Sequence, residues 1–311
     1  MHTSQFAIRT IIDKIRAMVE EPDINAKYTD DFILRQYVGP GMGAVSARLN
    51  LTSDTRVFLN FDFQVTDTRN YTLPPGVASV VALYFLDQSG GTEIGRVRAR
   101  TAWHHLGPGW RVEGNPGSLT LAFTDDAIQD QWVRVVYTST GDVPMHLGTG
   151  TLDNDTEWSE VTLAASPTLG LVDRRVNAYA GSYIRIVPSS GPIEERLIQS
   201  SSWTGSAWKV RTAIPFTIAE GSVSYEIAPA AFSALWHAVA AWVAIELTIG
   251  RDIPNTKLQR LQISYTQHLK TIRDSLSNMR EQVPYHVEMA TPEALAANPF
   301  TFFGMRLPGG G

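Results

Sequence analysis

From residue 5 to 20 the apolar positions Phe6, Ile8, Ile11, Ile12, Ile15 and Met18 fall three or four apart, a spacing that predicts a helix with one apolar stripe. Thr29, followed by Asp30 and Asp31, has the chemistry of a second helix start: a hydroxyl N-cap, then carboxylates at the positive end of the dipole. Leu34, Val38, Met42, Val45 and Leu49 keep the helical step from there, with a kink or break expected at Pro40 and Gly41. Between about 56 and 228 the pattern changes to short β-branched and aromatic runs separated by Gly, Pro, Ser, Asn and Asp clusters, which predicts antiparallel strands. The runs are "RVFLNFDF", "SVVALYFL", "RVRARTAW", "LTLAFT" and "WVRVVYT", then "EVTLAA", "YIRIVP", "ERLIQSSS", "AWKVRT" and "VSYEIAP". The polar, glycine-rich stretch around 138–156 reads as the connection between two β units.

The helical step returns after residue 228. Phe232, Leu235, Trp236, Val239, Trp242, Val243 and Leu247 mark one helix, stopped by Gly250. Leu258, Leu261, Tyr265, Leu269, Ile272, Leu276 and Met279 mark a longer amphipathic partner from about Asn255 to Glu281, and the pair makes a hairpin. The expected fold class is therefore α+β: a helical domain of N-terminal helices (1–55) and a C-terminal helix hairpin (229–283), with two inserted antiparallel β units (56–140 and 141–228). An extended C-terminal tail (284–311) has too much Pro and Gly to continue the last helix.

Composition changes this picture in three places. With 43% hydrophobic residues in a chain of 311, real cores can form. The absence of cysteine removes disulfides, thiolate catalysis and cysteine-ligated metal sites. A net charge of -5 gives no bulk attraction to phosphate, which disfavours a sequence-specific nucleic-acid binder but not a conduit through which DNA slides. Charges spread through the first helix argue against a signal peptide. His237 and Glu246 interrupt the apolar run from Ala228, which reads as a buried helix and not as a membrane span.

The search for chemistry starts at "QYVGPGMGAVSARLN", where Gly39, Gly41 and Ala44 fit the G-x-G-x-x-G/A spacing of a dinucleotide loop and Asp62 lies at a workable distance for the acid. Such a loop needs a strand before it, and here helix-start chemistry precedes it, so a helix broken by Pro and Gly is the better reading. There is no G-x-S-x-G elbow, no H-E-x-x-H and no Walker loop. His104 and His105, as neighbours on a strand, would face opposite sides and could not share an ion. The acid pairs Asp30–Asp31, Asp125–Asp126 and Glu194–Glu195 read as solvated turns and a helix cap. Trp103, Trp110, Trp203 and Trp208 lie near turns and are the candidates for a saccharide platform, with core or interface packing the plainer use. No catalytic, cofactor-binding or metal-binding residue is assigned, no cofactor is expected, and the chain is not expected to be an enzyme.

The order of elements resembles the head–tail adaptor (connector, head-completion) proteins of tailed bacteriophages. In the first β unit the resemblance rests on "YTLPPGVASVVALYF" and "GNPGSLTLAFTDDAIQDQWVRVVYT". In the second, "AYAGSYIRIVPSSGPIEERLIQSSSWTGSAWKVRTAIPFTIAEGSVSYEI" is similar to a small β module of phage virion proteins, with Gly181, Arg185, Gly191, Glu195, Arg196, Ile198, Pro215 and Tyr225 at the recurring positions. "AWVAIELTIGRDIPNTKLQRLQISYTQHLKTIRD" is similar to the adaptor's C-terminal helix pair. The resemblance implies a structural virion protein made in the host cytoplasm and placed at the head–tail junction. It would form a homo-oligomeric ring, a dodecamer, below the portal protein and above a tail or nozzle protein. Genomic DNA would pass through the ring without specific binding, and no membrane is involved. Excess apolar surface on the first hairpin helix puts Trp236, Val239, Trp242 and Val243 at the oligomer interface. Phe300, Phe302, Phe303, Met305 and Leu307 in the tail are the expected portal-docking residues. A carbohydrate-binding β-rich tail protein, and after it a β-rich hydrolase depending on a carboxylate such as Glu195, are the alternative readings.

Overall fold

The structure is a computed structural model that describes residues 7–21, 27–50, 58–65, 70–88, 92–97, 109–115, 118–123, 130–139, 144–155, 159–189, 191–212, 214–219, 221–249 and 254–282. Helix α1 (Ala7–Val19) buries Ile8, Ile11, Ile12 and Ile15 of the predicted stripe together with Val19, Met18 packs partly buried on the same core, and Phe6 lies outside the described residues. Arg16, on the same buried side, reaches Asp30 Oδ1 at 2.5 Å and the Tyr28 carbonyl at 2.8 Å. Thr29 caps the next helix as expected, its hydroxyl accepting the Phe32 N–H at 3.2 Å.

That next helix does not break at the glycines. Segment α2 (Asp30–Ile33) passes into a π-helical turn (Leu34–Val38), which runs on as α3 (Gly39–Asn50). Gly39 N–H bonds the Leu34 carbonyl, five residues back. The wider turn lies immediately before Pro40, which has no N–H to donate and whose ring would crowd the carbonyl four residues back in a regular α-helix. The helix thus absorbs Pro40 as a bulge. Gly41 serves the packing as well, since a Cβ there would stand 2.9 Å from Trp242 Cε3 and 3.2 Å from Val239 Cγ1. The glycine pattern is a close helix crossing.

Helices α4 (Phe232–Ile249) and α5 (Asn255–Gln282) form the predicted hairpin. α4 is the centre of the helical body, packed by α1, α3, the π turn and α5. Its Leu235, Val239, Val243 and Leu247 share one core with the stripe of α1 and with Leu34, Val38, Met42, Val45 and Leu49. Of the described residues, α4 alone is long and apolar enough to cross a membrane, and 61% of that stretch is buried inside the chain.

The α+β expectation is overturned by the β part. The chain is mostly β, 39% strand against 34% helix, and it is not a helical domain with two small β insertions. Counting Asp30 to Asn50 as one, the described residues hold four helices. They also hold a half-barrel and a closed six-stranded barrel. In the half-barrel, β1 (Phe58–Gln64), β7 (Trp132–Ser139), β3 (Val77–Leu86) and β4 (Glu93–Val97) form one antiparallel sheet in that order. A small sheet of β2 (Asn70–Thr72), β6 (Thr120–Phe123) and β5 (Trp110–Glu113) faces it over Phe61, Leu83, Leu121, Val133 and Val135.

The barrel runs β8 (His146–Asn154), β14 (Gly221–Pro229), β11 (Ser182–Val187), β12 (Glu194–Trp203), β13 (Trp208–Thr212), β9 (Ser159–Leu163) and back to β8. The short β10 (Leu169–Gly170) pairs with the start of β8. The strand that closes it is the stretch expected to be a linker. Two positions of β8, HLGTGTLDN, lie close to their neighbours: a Cβ on Gly148 would crowd Tyr225 Oη at 3.2 Å, and one on Gly150 would collide with the Thr162 carbonyl at 2.8 Å. Glycine here marks close backbone approach inside a sheet.

Candidate functional site

Among the described residues three joints hold the bodies together, and a cleft lies at one of them. At the first, the Gly170 peptide is gripped at both ends: its N–H donates to Asp31 Oδ1 at 2.9 Å and its carbonyl accepts from Arg35 Nη2 at 2.9 Å. Asp31 and Arg35, one turn apart, also pair with each other at 2.9 Å. No side chain would fit, since a Cβ on Gly170 would come 2.2 Å from the Met145 carbonyl and its φ is +91°. At the second joint Gly181 lets Tyr137 of the half-barrel close on the barrel, a Cβ there meeting Tyr137 Oη at 2.6 Å.

The third joint is a cleft of about 260 Å³ between the barrel and the starts of α1 and α4. Ala7 and Thr10 of α1, Phe232, Ser233 and Trp236 of α4, and Tyr183 of β11 form its walls. Its charged row is built by sheet register: Arg185 on β11 lies directly opposite Glu195 on β12 and opposite Glu226 on β14. Directly opposed residues share a face, so the three project together from the barrel's outside. Arg185 meets Glu195 Oε2 at 2.8 Å through Nη2 and 3.0 Å through Nε.

Glu226 is 2% exposed and accepts the Ile8 N–H at 2.9 Å, so a barrel carboxylate caps the first turn of α1, which holds no acidic residue of its own. Burial pushes its carboxyl up to about 7; the Ile8 N–H and Arg185 act against this, Glu195 acts with it, and the Ala7 N–H acts against it. A carboxyl held near neutrality beside a second acid is a pattern shared by acid–base sites and structural pairs. Here one Glu226 oxygen is engaged by α1 and Glu195 is engaged by Arg185.

A second buried polar cluster lies inside the barrel. The His146 ring on β8 is fully buried, its Nδ1 is 3.1 Å from Tyr225 Oη, and its Nε2 has no hydrogen-bond partner. Burial lowers its pKa to about 3, so the ring is neutral at ordinary pH. Tyr179 packs edge-on to His146 at 5.0 Å between centroids and to Trp208 at 5.4 Å.

The predicted residues are distributed as follows. Trp236 lines the cleft, and Trp242 is half-buried over Gly41. Val239 and Val243 have no exposed surface, because α4 is wrapped by α1, α3 and α5 of its own chain and not by one partner helix. Phe300, Phe302, Phe303, Met305 and Leu307 lie outside the described residues, as do His104, His105, Trp103, Asp125 and Asp126. Glu194 and Glu195 take opposite faces of β12. Burial alone would raise the Glu194 carboxyl, but the Thr217 hydroxyl and N–H together with Arg196 bring it below the usual range. Asp62, weighed for a nucleotide ribose, pairs with Arg134 through both oxygens at 2.8 and 2.9 Å. Trp110 and Trp208 are buried, and half-buried Trp203 carries the Arg174 guanidinium over its ring at 4.9 Å and packs on Trp208, so none of these offers a free saccharide platform. Among the described residues no three His, Asp or Glu side chains converge as a metal site.

Sequence reasoning missed Glu226 and His146. The available signal for Glu226 was an acid inside the otherwise apolar strand run "VSYEIAP". His146 had none, since its strand reads as a linker. Compared with known protein families the chain matches none, and no curated protein matches it.

Proposed function

We propose that the chain is a structural connector, a head–tail adaptor of a tailed bacteriophage that forms a ring below the portal and continues the DNA channel. One observation carries this reading: the polar groups of the cleft at the third joint are engaged in holding body to body. Glu226 caps α1, and Glu195 is tied to Arg185. Both ends of the described chain meet in one helical core, on which the barrel packs, and the half-barrel packs on the barrel. α5 is 28 residues long, and it gives that core Leu261, Leu269 and Ile272, while Ile263 stands 57% exposed. Such a helix has surface left for neighbours around a closed axis.

In this reading the half-exposed Trp236 and Trp242 contribute to contact between copies, whereas Val239 and Val243 keep the helical core intact. The tail residues Phe300, Phe302, Phe303, Met305 and Leu307 dock on the portal, and the far side of the ring receives the tail or nozzle protein. With a net charge of -5 the channel wall holds DNA weakly. Co-sedimentation with the portal tests the reading. The full chain is expected to pellet with portal particles, and a chain lacking residues 298–311 to stay in the supernatant. Equal pelleting of both would remove the docking role of the tail, and pelleting of neither would remove the adaptor reading.

A further inference from the structure

The joint over Glu226 has the parts of a proton-coupled clasp. The carboxyl lies in the floor of a cleft that α1 closes, and closing removes it almost completely from water. We propose that seating α1 on the barrel takes up a proton at Glu226, so that the helical body is held more firmly as the pH falls through neutrality. This goes beyond the connector reading and does not depend on it.

The groups facing Glu226 decide the sign. From β11 come the Tyr183 ring and Arg185, the latter already shared with Glu195 of β12, so its compensation is divided between two carboxylates. From α1 come the Ala7 and Ile8 N–H groups and no acidic side chain in the first turn. From α4 the cleft receives Ser233 and Trp236, neither charged. A protonated carboxyl keeps a carbonyl oxygen that can accept from Ile8, so the cap survives protonation. What changes is the cost of burying a charge, which is removed.

With α1 lifted, Glu226 returns to water and to the ordinary value of 4.5; with α1 seated, burial holds it at about 7. The proton-linked gain is therefore full below 4.5 and lost as the pH rises to about 7. The two limits differ in the opening equilibrium by on the order of a hundredfold.

Hydrogen exchange of the α1 amides in the full chain, corrected for intrinsic rates, reads this opening directly. Between pH 5 and 8 the opening constant of Ile11, Ile12 and Ile15 is expected to rise steeply and then level off, while that of the barrel amide of Val161 does not rise. Glu226→Gln keeps the acceptor without the charge and is expected to flatten the α1 profile near the wild-type acid limit. Glu195→Gln, a change at an exposed partner, removes the repulsion and frees Arg185, and is expected to move the midpoint to lower pH. A flat wild-type profile, a sloped Glu226→Gln profile matching wild type, or an unmoved midpoint in Glu195→Gln would each overturn the proposal.

Discussion

The helical body and the barrel bury their cores by different means. In the helical body the core is mostly aliphatic, with Ile8, Ile11, Ile12 and Ile15 in one cluster with Val239, Val243 and Leu247, and the spacing of three and four that predicts each helix also predicts its buried face. In the barrel aliphatic side chains such as Val161, Ile184 and Ile198 share the core with aromatic and polar ones: Tyr179 and Tyr225 pack edge-on against a neutral His146, Trp208 packs on Tyr179, and glycines on β8 let the ring of strands close. A helical core states itself by period. A small closed barrel depends on the few positions where a side chain must be absent, and sequence periodicity carries no mark for these.

The largest effect is expected where the helical core would receive a charge. Val239→Asp puts an unpaired carboxylate among fully buried aliphatic groups, with a cost of more than about 4 kcal/mol. Circular dichroism and denaturant titration should show a body that no longer folds cooperatively. A well-folded variant that merely fails to assemble would return Val239 to the subunit interface.

Acid separates the two regions next. The His146 ring has its folded pKa lowered to about 3, so the stability it confers is complete above the unfolded value of 6.5 and is lost as the pH falls from there. Each pH unit below that removes about 1.4 kcal/mol until the folded value is reached. His146→Phe should blunt this loss in urea titrations between pH 6.5 and 4. An unchanged acid slope in the variant would mean that the ring is not held neutral by the barrel.

The same small substitution then sharpens the contrast. Gly150→Ala brings a methyl 2.8 Å from a backbone carbonyl of β9, which cannot turn away, so β8 and β9 must part. A loss of about 1 to 3 kcal/mol is expected in urea titration. Gly41→Ala meets the Trp242 ring at 2.9 Å, a side chain that can shift, and gains helix propensity in exchange. A smaller loss, about 1 kcal/mol or less, is expected there. If Gly41→Ala proves the more costly of the two, the helix crossing and not the strand closure is the tighter fit.

These contrasts also explain what is legible in the sequence. The helices, the Thr29 cap and most strands of both β bodies follow from apolar spacing and turn chemistry. The π turn reads as a break because Pro40 and Gly41 are breakers in isolation, whereas α4 packs on this segment and holds the helix together. The barrel is hidden by β8 alone: with 138–156 read as a connection, the remaining strands form an open unit. The joint is half legible. Glu195 and Arg185 stand out as residues, but their alignment with Glu226 is a fact of register across three strands, and the cap on α1 spans 218 positions of sequence. The excess apolar surface of α4 is real, and its cover comes from α1 and α3 of the same chain.

Negative-stain microscopy of the purified chain, alone and mixed with portal particles, tests the connector account most directly. Closed rings of a dodecamer, centred on the portal axis and open along it, are the predicted result. Single copies under both conditions, with no density added to the portal, would contradict it.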